Sequence, residues 1–149
     1  MELGLKRIGL TTTICQNTCN MSALSIGKVV KYLLVSSTSV DGIVGKNIYP
    51  IVVPVQINGP LIAYARASIV GNETKDGLYE EVANVEVTCA CESYESAIEL
   101  AEAARLAIEN KTGLIKGLDI NSSKMIDADE DFQDGIYTQS LLFEFKIEN

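Results

Sequence analysis

From residue 79 to residue 91 the chain alternates strictly: Ala83, Val85, Val87, Cys89 and Cys91 fall on one side, Asn84, Glu86 and Thr88 on the other. A period of two is the signature of an extended strand with one buried and one wetted face, and it commits the chain to a sheet whose apolar side needs a cover. Residues 136–147 repeat the pattern, with Tyr137, Leu141, Phe143, Phe145 and Ile147 on one face and Thr138, Ser140, Glu144 and Lys146 largely on the other. One-sided strands of this kind suit antiparallel neighbours, because a parallel sheet covered on both faces reads as continuous apolar runs.

Two amphipathic helices can supply the cover. Ala23, Ile26, Gly27, Val30, Leu33 and Leu34 recur at helical spacing behind the capping candidates Ser22 and Ser25, with Lys28 and Lys31 opposite, until the run Ser36-Ser37-Thr38-Ser39 ends the helix. Tyr94, Ala97, Ile98, Ala101, Ala104 and Ile108 draw a second stripe behind Ser93, stopped by Gly113, and Glu95, Glu99, Glu102 and Glu109 read as its solvated face. Between the helices, Asp41-Gly42 and Gly45 mark a loop, the proline-flanked run Ile48-Tyr49-Pro50-Ile51-Val52-Val53-Pro54 an edge segment, and residues 61–70 a strand. Residues 114–126 read as a further strand, joined to the last one by an acidic connection. The order is α-β-β-β-α-β-β: an α+β domain over residues 21–149, with a mostly antiparallel sheet of four to five strands and two helices packed on one face. Residues 1–20 carry neither period and read as an N-terminal arm or extension.

A chain of 149 residues is long enough to bury a core without covalent staples and short enough for one domain. It contains no histidine, which removes triads with a His base, His-ligated metals and imidazole pH switches, and leaves carboxylate, Lys, Tyr and Cys chemistry. Twelve basic against twenty acidic side chains give a net charge of −8, which disfavours sequence-specific nucleic-acid binding through a basic face. The charge is uneven, +3 up to Leu78 and −11 beyond it, an asymmetry suited to self-association. The uncharged stretches 8–27 and 47–65 hold too many Thr, Asn, Gln and Pro residues to span a membrane, and residues 8–15 make a poor apolar region for a signal peptide. A soluble cytoplasmic protein is expected.

The candidate chemical motifs all have plainer readings. Cys15-x3-Cys19 and Cys89-x-Cys91 could together hold zinc, but Cys89 and Cys91 lie on the apolar face of a strand, where cysteine packs as a small hydrophobe. Asp127, Asp129 and Asp131 have the opening spacing of a calcium loop, but Phe132 stands where that loop needs Gly and Thr138 where it needs Glu. Gly42-x2-Gly45-Lys46 is too short for a phosphate loop, and Asn47 replaces its hydroxyl residue. Lys46, Tyr49 and Tyr64 could act as acid-base groups only if a pocket gathered them, and Tyr49, Tyr64 and Tyr94 could line a ligand pocket in a small regulatory or ligand-binding domain. No residue is assigned a catalytic, cofactor-binding or metal-ligating role, and the chain is not expected to be an enzyme.

Several segments nevertheless carry a resemblance. Ile43-Val44-Gly45-Lys46-Asn47-Ile48-Tyr49-Pro50, Pro54 and Pro60-Leu61-Ile62-Ala63-Tyr64 in the first half resemble the tail-completion family of long-tailed phages and prophages, the small tail-terminator or head-to-tail joining proteins. In the second half, residues 84–90, Ser93-Tyr94-Glu95-Ser96-Ala97, Leu100-Ala101-Glu102-Ala103-Ala104-Arg105, and the stretch from Ile126-Asp127 to Asp134-Gly135-Ile136-Tyr137 resemble that family's strand, helix and acidic turn. The resemblance covers residues 21–147. It implies a structural α+β subunit that assembles in the host bacterial cytoplasm into a ring, a hexamer, at the head-proximal end of the virion tail. Its partners would be further copies of itself, the tail tube protein and head connector proteins, with no cofactor and no membrane.

Overall fold

The computed structural model describes residues 22–54, 59–73 and 79–148. The expected arm, with Cys15 and Cys19, lies outside the described residues. Ser22 accepts the Leu24 amide and opens a 3-10 turn over Ala23–Ser25, which runs into α1, Ile26–Val35. Ser37 accepts the Val40 amide and starts a second short helix, α2, Thr38–Val44, ending at Gly45. Then follow β1, Ile48–Pro50; β2, Leu61–Glu73; β3, Tyr79–Cys91; α3, Tyr94–Ile108; β4, Gly113–Ile115; β5, Leu118–Gln133; and β6, Ile136–Glu148. Among the described residues no helix is long and apolar enough to cross a membrane.

The six strands form one mixed sheet in the order β1-β2-β3-β6-β5-β4, parallel between β1 and β2 and antiparallel elsewhere. The α+β class and the one-sided cover agree with expectation; the counts differ. The expected loop around Asp41-Gly42 is α2, and residues 114–126 divide into the hairpin strand β4 and the start of β5. The expected acidic connection is not a loop either, because β5 continues through it to Gln133. Lys116-Gly117 and Asp134-Gly135 all have positive φ, and each pair closes a two-residue hairpin, Ile115 opposite Leu118 and Gln133 opposite Ile136. Such turns need left-handed backbone at both positions and match the twist of the strands, so Asp-Gly lets pairing run to the last residue.

The alternation in β3 and β6 sorts as read: Ala83, Val85, Val87, Cys89 and Cys91 meet Leu141, Phe143, Phe145 and Ile147 in the core, against Ile26, Leu34, Leu100 and Ile108 of the helices. On α3 the buried stripe is Ala97, Leu100, Ala101, Ala103, Ala104, Ala107 and Ile108, and its small residues let the helix lie close to the sheet. Tyr94 and Ile98, assigned to that stripe from spacing, are instead partly exposed. The sheet curls into a half-barrel around the helices, and both of its margins reach α1. Lys31 Nζ donates to the Ile48 carbonyl of β1 at 3.3 Å, while Lys116, from the β4–β5 turn, sits 4.9 Å above the Tyr32 ring.

Candidate functional site

Two surfaces stand out, and β5 carries one at each end. Its far half is the open edge of the sheet, since β4 pairs only with Leu118 to Ile120, and with the start of β6, which β3 flanks as far as Tyr137, it ends in an exposed hairpin, the arm. A bulge between Met125 and Asp127 shifts the register there. Beyond it Ala128, Glu130 and Phe132 share a face with Leu141, Gln139 and Tyr137, and Asp127, Asp129 and Asp131 share the opposite face with Leu142, Ser140 and Thr138. The helix anchors the bulge: Glu109, at the C-cap of α3, accepts the Met125 amide at 3.1 Å and the Arg105 guanidinium at 2.9 Å. These two bonds hold its carboxyl below the ordinary glutamate value. Glu95, Glu99 and Glu102 are exposed as the charge pattern suggests, but Glu109 is a structural clamp and not part of a solvated face. Ser123 locks the neighbouring turn, donating to the Ile108 carbonyl at 2.8 Å and accepting the Lys111 amide at 2.7 Å.

At the arm's end, Tyr94 from α3 donates to Glu130, which also accepts from Gln139. Those donors lower the Glu130 carboxyl, the Gln139 amide first, and the Glu130 carboxylate raises the Tyr94 phenol. Phe132 packs against Tyr137 at a centroid distance of 4.5 Å yet stays 54% exposed. Glu130 thus shares the face of the aromatic pair, Asp127, Asp129 and Asp131 line the opposite face of the same edge and Asp134 sits in the turn, and none of them forms an ion pair with a described Lys or Arg.

The second surface is a groove of about 400 Å³ lined by Lys28, Lys31, Tyr32, Val35 and Lys116. Its floor is apolar, with Tyr32 45% and Val35 53% exposed, and Leu114 of β4 extends it along the sheet margin. Three of its lining residues are lysines, the Lys31 ammonium bonded to the Ile48 carbonyl and that of Lys116 above the Tyr32 ring. The face of the sheet away from the helices carries small and polar residues, among them Ala63, Ala65, Thr88, Ala90 and Ser140, and among the described residues no helix covers it.

The sequence-derived candidates are not gathered. Tyr49 donates to Asn47 Oδ1 on the β1 margin, Tyr64 is buried under α1 with its phenol raised by burial, and Tyr94, the first residue of α3, lies against Tyr137 and Glu130. The three-tyrosine pocket therefore does not form. Lys46 follows Gly45 at the end of α2, and Gly42 is inside that helix. Asp127, Asp129 and Asp131 occupy every second position of a strand, about 7 Å apart, too far to converge on one cation. Cys89 and Cys91 are both buried on the core face; burial, then the neighbouring Cys91, pushes the Cys89 thiol up to about 12, and burial, then Glu99, raises that of Cys91. Metal binding needs the thiolate, which this setting disfavours. The groove has no counterpart in the sequence reading, because Lys116 reaches α1 from the far margin of the sheet.

No protein-family model and no curated protein sequence matches this chain. A chain in the solved structure of the virion of a native gene transfer agent (GTA) particle superposes with a TM-score of 0.74, covering 86% of this protein and 100% of that chain at 15% sequence identity. The likeness establishes a shared fold, extending over the whole of the virion chain.

Proposed function

We propose that this protein is a structural subunit of a phage or phage-like virion, and that it completes the tail as a ring, a hexamer, at the head-proximal end of the tail tube. The observation that carries the reading is the match in fold, over 86% of this chain and the whole of the other, to a chain of a gene transfer agent virion. The resemblance of residues 21–147 to tail-completion proteins supports the finer assignment. The surface supports it too: its prominent features are an arm, a basic apolar groove and two sheet margins, which suit contact with other proteins better than the turnover of a small substrate. In this role it would assemble in the host cytoplasm, contact further copies of itself, the tube protein and the connector, and act without catalysis.

Deletion of the gene in its phage or prophage, followed by electron microscopy of the lysate, tests the proposal. Overlong tails, or tails and heads that fail to join, are the expected result. Normal tails attached to heads would overturn it.

A further inference from the structure

The arm and the groove complement each other in charge, in apolar character and in position. We propose that the acidic, aromatic end of the β5–β6 hairpin of one copy docks in the Lys28–Lys31–Lys116 groove of the next, so that subunits join head to tail through the two ends of the same strand. This deepens the ring reading and rests on it for its biological setting.

Charge supplies the first argument. The arm between Ile126 and Tyr137 holds five acidic side chains and no basic one, while the groove is rimmed by three lysines. Opposite potentials of this kind steer encounter and fix orientation. The second argument is apolar area: Phe132 and Ile126 on the arm and Tyr32, Val35 and Leu114 on the groove are large and exposed. Joining them removes both patches from water and gives the contact a hydrophobic centre with a charged rim.

The third argument is geometry. The groove's Lys116 precedes the first residue of β5, and the arm's turn, Asp134-Gly135, follows its last. Sixteen extended residues separate them, a span of roughly 50 Å. One copy cannot reach its own groove, so the contact joins different surfaces of two copies, the arrangement that closes into a ring when the rotation allows. Glu109 is the positioning residue, since it holds the Met125 amide at the bulge where the acidic half of β5 begins.

The test is disulfide trapping between two full-length variants, which captures even a weak encounter. Phe132→Cys in one copy is mixed with Val35→Cys in the other under mild oxidation, and Glu99→Cys, on the exposed face of α3, replaces Phe132→Cys in the control pair. The Phe132/Val35 heterodimer is expected to form at least about tenfold faster than the control, and more slowly in high salt. Adding Lys28→Glu and Lys116→Glu to the groove partner should abolish the excess, and adding Asp129→Lys and Asp131→Lys to the arm partner should restore it. Equal rates for the two pairs, or failure of the paired charge reversal to rescue, would overturn the proposal; unchanged melting temperatures of the variants show that they fold. Trapping without virion defects on gene deletion would remove the tail reading and leave this contact standing. A tail defect without trapping would do the reverse.

Discussion

Replacing Glu109 by alanine removes two hydrogen bonds beside the bulge at which the acidic half of β5 begins. The Met125 amide at the bulge loses its acceptor, and an amide left without a partner costs about 1–2 kcal/mol. The i,i+4 contact with the half-exposed Arg105 adds only about 0.3–0.5 kcal/mol. A negative charge at a helix C-terminus is itself unfavourable by a similar amount, so losing it offsets the Arg105 contribution. The net expectation for Glu109→Ala is a loss of about 1.5 kcal/mol, or roughly 3–6 °C in melting temperature for a domain of this size. Glu109→Gln keeps an oxygen for the Met125 amide and should lose about 0.5 kcal/mol. Because the native carboxyl lies below its ordinary value, its contribution is full above that value and disappears as pH falls through the native one. The gap between wild type and Glu109→Ala should therefore narrow below about pH 4. Thermal melts across pH, with hydrogen exchange at the Met125 amide as the local readout, are the assay. Equal losses for Ala and Gln, or unchanged exchange at Met125, would refute the clamp.

Ile51 is a β-branched residue at φ 63°, the centre of a three-residue turn in which the Val52 amide donates to the Pro50 carbonyl at 2.6 Å. Ile51→Asn should raise stability by about 1 kcal/mol, because asparagine tolerates that backbone region and the exposed isoleucine side chain buries little; an unchanged or lower melting temperature would count against the strain. Chelator treatment of protein purified under reducing conditions should leave the melt unchanged, since Cys89 and Cys91 are packed as thiols, whereas stoichiometric zinc lost together with structure would contradict this. The chain begun at Met21 should melt within about 2 °C of the full chain, as an arm burying little would allow, and a loss of several degrees would mean that residues 1–20 pack on the body.

The parts legible in the sequence were those with one wet and one dry face. Strands β3 and β6 and helix α1 announce themselves because half of each is buried. The arm half of β5 has both faces toward solvent, so Asp127 to Phe132 shows no apolar alternation, and only the Asp134-Gly135 turn signals that pairing continues. Helix α2 has two buried residues, Val40 and Val44, and a glycine in its middle, too little pattern to distinguish it from a loop. Tyr94 and Ile98 misled because helical spacing fixes a residue's face while tertiary packing decides how much of that face is covered. The candidate site was the least legible. Lys28, Lys31 and Tyr32 look like an ordinary solvated helix face until the curl of the sheet brings Lys116 to them.

Absolute quantification of the protein in purified particles, by mass spectrometry against an isotope-labelled standard of the chain, tests the tail-completion role most directly. A closed ring at one end of the tail requires a small fixed number of copies, about six per particle, retained when heads are separated from tails and found with the head-proximal tail end. Absence from the purified particle, or a copy number in the hundreds that scales with tail length, would contradict it.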